Sequence, residues 1–217
     1  MRIEAVIFDL DGVIVDTAVF HYQAWQQLAR EFGFEFSEKH NERLKGVSRL
    51  ESLEILLEVG GIVIHSDEEK EKLATKKNNW YRELILKMTP GDLLPGAKEF
   101  LQELKGAGYK IAIGSSSKNA TTILERIKYL DYFDAIVDGN KIKNSKPDPE
   151  VFLKAAAELG IKPGNCVVFE DAQAGVEAAI RAGMKTVGVG SPETLSEADI
   201  VIPNLKEAGI AIFSKLI

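Results

Sequence analysis

From residue 94 onward, short apolar runs alternate with helical patterns without a break, and this rhythm constrains the fold more than any other feature of the chain. The runs lie at 109–114, 166–169 and 186–189, with weaker ones at 135–137 and 200–202. They are short, largely apolar runs, broken only by Lys110 and Thr186, and read as buried strands. Helical patterns at 97–104, 119–127, 150–159 and 172–182 separate them. Strands joined through helices pair in parallel, because a parallel connection needs a long crossover. A further strong run, 3–8, stands near the N-terminus. The expected fold is α/β, a Rossmann-like core whose parallel sheet is covered on both faces.

Residues 18–90 interrupt this rhythm. They hold no convincing strand, since the run at 62–64 is too short, and they offer helices at 20–32, 37–45, 48–59 and 67–88. Ser66 with Glu69 resembles a capping box for the last of these. The expected organisation is an α/β core domain from 1–15 and 94–217, with an inserted α-helical domain at 16–93. "MTPGDLLPG", 88–96, reads as the return linker, and 217 residues suffice for a core and one smaller insertion. The net charge is −6, with 33 acidic and 27 basic residues and no basic run. That argues against a nucleic-acid or anionic-membrane partner. The single cysteine, Cys166, cannot form an internal disulfide and reads as a small buried hydrophobe. The N-terminal stretch lacks a signal-peptide pattern and no apolar run is long enough to span a bilayer, so the expected location is cytoplasmic.

The stretch "AVIFDLDGVIVDT", 5–17, drives an apolar strand directly into two carboxylates, Asp9 and Asp11. Ligands of open parallel sheets bind beyond the carboxyl ends of the strands, so residues just after each run carry the chemistry. Ser115, Ser116, Ser117, Lys118 and Asn119 follow one run, Lys146 precedes a helix in "NSKPDP", and Glu170 and Asp171 follow another. Each piece alone has a common structural reading: a turn, a helix cap, or a charge complementing a helix dipole. Together they crowd four carboxylates on one edge, where their mutual repulsion is resolved by a hard divalent cation, Mg²⁺. Mg²⁺ beside carboxylates suits phosphoryl chemistry. Asp9 is positioned as a nucleophile, and Asp11 as the acid/base acting on the same phosphorus. Lys146 and the Ser115 hydroxyl suit the equatorial phosphate oxygens.

The segments "FDLDGVIVDT", "GSSSK", "SKPDPEVF" and "FEDAQAGVEAA", in this order, resemble the haloacid dehalogenase superfamily over essentially the whole chain. The helical insertion is similar to that superfamily's cap of the first type, which closes over the active site. Within it, "HYQAW" (21–25), "LKGVSRLESL" (44–53) and "SSSKN" resemble the β-phosphoglucomutase family. That resemblance implies interconversion of β-D-glucose 1-phosphate and 6-phosphate through a 1,6-bisphosphate. It assigns Asp9 as nucleophile, Asp11 as general acid/base, and Ser115 and Lys146 to the transferring phosphate. It places Mg²⁺ on Asp9, the Asp11 backbone carbonyl, Glu170 and Asp171. Arg49, Ser117, Lys118 and Asn119 would hold the other phosphate, and Thr17, His21, Trp25, Lys45, Gly46, Val47, Ser52 and Lys77 would line the site. The adjacent Lys76 leaves the Lys77 register open by one residue. Ser116 departs from the mutases, where a small apolar residue is expected; it would contact substrate through its backbone. The planar fork of Arg49 suits a second phosphate, and His21 lies one helical turn before Trp25, on the same face. The implied partner is a small phosphosugar, bound by a monomer. A phosphatase of the same superfamily, in which water attacks the aspartyl-phosphate, is the alternative. A noncatalytic phosphosugar-binding regulator is a more distant one, since it has no use for both Asp9 and Asp11.

Overall fold

In the computed structural model, which describes residues 2–44 and 47–216, the chain divides into two compact units. One joins Met1–Asp16 to Met88–Ile217, and the other is Thr17–Lys87. The first is the α/β unit. Its strands are β1 (Ala5–Phe8), β2 (Lys110–Gly114), β3 (Ala135–Val137), β4 (Cys166–Glu170), β5 (Lys185–Val189) and β6 (Ile200–Ile202). They form one sheet in the order β3-β2-β1-β4-β5-β6, and every pairing is parallel. The first strand in sequence is therefore flanked on both sides.

Helices α5 (Ala97–Gly106), α6 (Ala120–Arg126), α7 (Glu150–Leu159) and α8 (Gln173–Arg181) complete this unit. Successive strand residues point to opposite faces. Ala5, Ile7, Ala112, Cys166 and Val168 pack with Val151, Phe152 and Ala155 of α7 and Ala178 and Ala179 of α8. Phe8 and Phe169 point the other way, onto Phe100 of α5, with ring centroids 5.9 and 5.2 Å away. Covering both faces makes β1 apolar along its whole length, and leaves β2 and β4 polar only at an end, at Lys110 and Glu170. β1 and β2 start later than the apolar runs that mark them. Ile3 is buried but lies before β1, and Tyr109 lies before β2 and packs edge-on to Phe213 at 5.1 Å.

The helical unit contains α1 (Ala18–Glu31), α2 (Glu38–Asn41), α3 (Arg49–Gly60) and α4 (Asp67–Ile85). Trp25 and Leu28 of α1, Phe36, Leu53, Leu56 and Leu57 of α3 and Ala74 of α4 form its core. Ser48 caps α3 through a reciprocal pair of bonds with Glu51. At α4 the Ser66 hydroxyl accepts from the Glu69 N–H at 3.2 Å, which is one half of the expected box. Helix α4 ends at Ile85 rather than 88, and 88–93 belong with the α/β unit rather than with the helices. The physical reason is local: Met88 is buried, Leu93 bridges Val15, and the Leu94 N–H donates to the Ile14 carbonyl at 2.9 Å.

Candidate active site

The sheet register assembles the α/β site. Phe8 is level with Ile113 of β2 and Phe169 of β4, so the residues after these three strands share one edge. The Asp9 N–H extends the ladder by donating to the Phe169 carbonyl at 2.9 Å, which sets Asp9 beside Glu170. The Ser115 N–H likewise donates to the Val137 carbonyl at 3.0 Å. After Asp9 the chain folds back tightly: Ile14 and Val15 donate to the Leu10 carbonyl, and Gly12 donates to that of Val15. The apolar run 13–15 is thereby fully buried in this turn, not continued as strand. Asp11 forms an isolated bridge with Val15 at its base.

Lys146 reaches this edge from the segment before α7. Its Nζ donates to Asp9 Oδ1 and, at 2.8 Å, to Glu170 Oε2, and it lies 4.8 Å from the Phe152 ring centroid. Asp9, Glu170 and Ser115 are buried, and Lys146 nearly so. Burial alone would lower the Lys146 amine, but the charges of Asp9 and Glu170 outweigh it and raise the pKa above the usual lysine value. Burial pushes the Glu170 carboxyl up to about 7, with Lys146 pulling down and Asp9 pushing up. Asp171 keeps an exposed edge, yet its carboxyl lies within the cluster: desolvation, then the charges of Glu170 and Asp9, push it up to about 8.

Carboxylate oxygens of Asp9, Glu170 and Asp171 all lie within 4.8 Å of one another. Two glycines close around them. A Cβ on Gly12, at φ +79°, would fall 2.0 Å from Asp171 Oδ2, and one on Gly175 would fall 2.0 Å from Glu170 Cδ. An all-oxygen donor set, with the Glu170 and Asp171 carboxyls raised and packed against glycine backbone, fits a hard divalent cation. The expected metal residues Asp9, Glu170 and Asp171 are thus together. Asp11, offered through its carbonyl, is two residues from Asp9 on the same turn.

The 115–119 loop continues from β2. Ser115 Oγ accepts from the Ser117 N–H at 3.1 Å, and Ser117 Oγ from the Asn119 N–H at 3.2 Å, just ahead of α6. The Ser116 hydroxyl is buried without a hydrogen-bond partner among the described residues.

In the helical unit, His21, Trp25 and Tyr81 gather around Lys77. Lys77 Nζ lies 2.7 Å from His21 Nδ1, 4.4 Å from the Trp25 ring centroid and 5.3 Å from that of Tyr81. His21 stacks on Tyr81 at 3.9 Å. This settles which lysine faces inward: Lys77 is buried, while Lys76 pairs with Glu31 at 2.6 Å on an exposed face. Burial, with the charge of Arg49 adding, lowers the Lys77 amine to about 7. His21 is held well below its ordinary value by burial, then by Lys77 and Arg49, and its Nδ1 pairs with the amine, accepting or donating according to the ring tautomer. Thr17 is buried at the start of α1, where its side chain makes no capping bond, and Ser52 is buried on α3. Val47 and Arg49 are exposed, and Lys45 and Gly46 lie outside the described residues.

Sequence reasoning passed over Tyr81, whose place on the His21–Lys77 face could have been read from its spacing of four from Lys77. It also passed over Gly12 and Gly175, which make room for the carboxylates, and over Asp138, which directly follows a strand as Asp9 does.

A parallel sheet with carboxylates after its central strands, a lysine bridging them and a serine-rich loop alongside defines a phosphoryl-transfer architecture. The chain belongs to the haloacid dehalogenase-like hydrolase family, whose model matches residues 6–189. It is 48% identical over 200 residues to a protein of Bacillus subtilis named β-phosphoglucomutase, covering 92% of this chain and 88% of that one. It is 36% identical over 187 residues to a phosphorylated carbohydrates phosphatase of Thermotoga maritima, covering 85% and 83%. Among solved structures it resembles the β-phosphoglucomutase of Clostridium difficile with a TM-score of 0.90 and 45% identity, over 99% of this chain and 97% of that one. Among the described residues, no helix is long and apolar enough to cross a membrane.

Proposed function

We propose that the chain is a β-phosphoglucomutase, interconverting β-D-glucose 1-phosphate and β-D-glucose 6-phosphate through an aspartyl-phosphate and β-glucose 1,6-bisphosphate. The observation that carries this reading is Asp9, bonded to Lys146 beside Glu170 and Asp171, in a chain 48% identical to a protein of that name. The 6-hydroxyl of glucose 1-phosphate attacks phosphorus on phosphorylated Asp9 and gives its proton to Asp11; the P–O bond to Asp9 breaks, leaving the bisphosphate. In the second half, Asp9 attacks the phosphorus at the sugar's 1-position. The bond to the sugar oxygen breaks, and Asp11 returns the proton to that oxygen. Lys146 and Ser115 hold the equatorial oxygens throughout. Asp9, the Asp11 carbonyl, Glu170 and Asp171 would hold Mg²⁺, which when bound neutralises charge on the transferring phosphate.

Arg49, Ser117, Lys118 and Asn119 grip the nontransferring phosphate in this reading, and the His21–Lys77 pair serves the sugar hydroxyls. The same reading makes the protein a cytoplasmic monomer acting on a diffusible phosphosugar, with no nucleic-acid or membrane partner. The test is a phosphorus-31 NMR time course with β-glucose 1-phosphate, Mg²⁺ and a trace of bisphosphate. Glucose 6-phosphate is the expected product. Inorganic phosphate and free glucose in its place would overturn the mutase reading in favour of the phosphatase one.

A further inference from the structure

The 115–119 loop has two separate supports. Ser115 is held by the sheet itself, through its N–H on the Val137 carbonyl. The rest of the loop is held by the tripeptide that follows β3, Asp138, Gly139 and Asn140. The Gly139 N–H donates to the Ser117 carbonyl at 3.1 Å, and Asn140 Nδ2 donates to the Lys118 carbonyl at 2.9 Å. Gly139 passes so close that a Cβ on it would meet the Ser116 carbonyl oxygen at 2.3 Å. Three successive carbonyls of the loop therefore face this tripeptide.

Asp138 fixes the tripeptide in turn. It is 5% exposed, and its carboxylate accepts from the Asn140 N–H at 2.9 Å, from Asn140 Nδ2 at 3.1 Å and from Thr121 Oγ1 at 3.3 Å. Both amide hydrogens of Asn140 are consequently engaged, one on Asp138 and one on Lys118. Turning the amide over would aim its oxygen at two acceptors, so its orientation is determined.

We propose that Asn140 is a positioning residue for the nontransferring phosphate. Resting on the function proposed above, it acts through the Lys118 carbonyl to set the backbone from which Ser117, Lys118 and Asn119 reach their ligand. Ser115 and Lys146 have their own supports, so the transferring phosphate does not depend on Asn140.

The two halves can be separated on one preparation. Asn140 is exposed, so Asn140→Ala leaves the fold intact, which its thermal midpoint checks. Its KM for β-glucose 1-phosphate should rise roughly fivefold to tenfold, the size of one lost neutral hydrogen bond. Its kcat, and the rate of Asp9 phosphorylation by acetyl phosphate, should stay within about a factor of two. Asn140→Gln, which keeps an amide donor, should recover part of the KM. Asn140→Asp, which cannot donate and sets a second carboxylate on Asp138, should not. An unchanged KM in Asn140→Ala overturns the inference, as does a parallel fall in the acetyl phosphate rate. If the wild type hydrolyses glucose 1-phosphate instead of isomerising it, the mutase reading fails alone. The KM comparison for hydrolysis, with glucose 6-phosphate affinity by calorimetry, then decides the role of Asn140.

Discussion

Lys146 in the α/β unit and Lys77 in the helical unit are both withdrawn from water, but into surroundings of opposite kind. Lys146 bonds two carboxylates, Asp9 and Glu170, and is held as a permanent cation. Lys77 lies among His21, Trp25 and Tyr81, with Arg49 near enough to add repulsion, and its amine falls to about 7. Burial opposes the charge in both. Neighbouring charge decides the outcome, because an anion a few ångströms away outweighs desolvation and an aromatic face does not. One lysine serves as fixed charge for a site crowded with anions. The other can gain or lose a proton near neutrality.

Removing Lys146 should have the largest effect. Lys146→Met leaves Asp9, Glu170 and Asp171 facing one another, and turnover should fall by about a hundredfold to a thousandfold. In chelator, stability should also fall by roughly 3–5 kcal/mol, the usual result of breaking a buried ion pair. A urea melt that does not move would break the comparison. Lys77→Met should do the reverse and stabilise. Below pH 7 the amine is charged in both the folded and the unfolded chain, so the full burial cost is borne. Between about 7 and the ordinary 10.5 the folded chain has released a proton that the unfolded chain keeps, and stability rises with pH. At pH 6 the substitution should gain roughly 3 kcal/mol, after allowing for the lost contact with Trp25. The gain should vanish above pH 10.5, and a gain independent of pH would show that packing, not charge, is responsible.

Arg49→Ala comes next. Isomerisation of glucose 1-phosphate should drop about a hundredfold while Asp9 phosphorylation by acetyl phosphate survives. The Lys77 amine should titrate higher by nitrogen-15 NMR. If both rates fall together, Arg49 serves the transferring phosphate. The smallest effect is expected at Ser116, whose buried hydroxyl lacks a partner among the described residues. Ser116→Ala should stabilise by about 1 kcal/mol in thermal or urea unfolding, and a loss of stability would mean the hydroxyl is bonded in solution.

The sheet was legible in the sequence because the middle of each long strand is buried on both faces and reads as a short continuous apolar run, with polar residues only at the ends, such as Lys110, Glu170 and Lys185. The starts of β1 and β2 were not, because buried Ile3 and half-buried Tyr109, which packs on Phe213, are apolar residues that lie outside the ladder. The carboxylate edge could be anticipated because a parallel sheet delivers its strand ends to one side. Hidden were groups whose role depends on a close approach that spacing does not encode. Gly12 and Gly175 read as ordinary glycines until the carboxylates beside them are seen. Asn140 reads as part of a turn, because its partner is a backbone carbonyl 22 positions away in sequence. The choice between Lys76 and Lys77 needed the helix phase, and that is fixed by packing of α4 against α1 rather than by local pattern.

The place of β1 at the middle of the sheet has a consequence for synthesis. Its partners are Lys110–Gly114 and Cys166–Glu170, both made long after it leaves the ribosome. At about 5–20 residues per second the fully apolar β1 waits several seconds for β2 and longer for β4. Helices of Thr17–Lys87, whose contacts are local in sequence, can form meanwhile. A nascent chain stalled before Cys166 would carry β1 with one flank open. Such an edge is the surface that chaperones hold and that aggregates build upon.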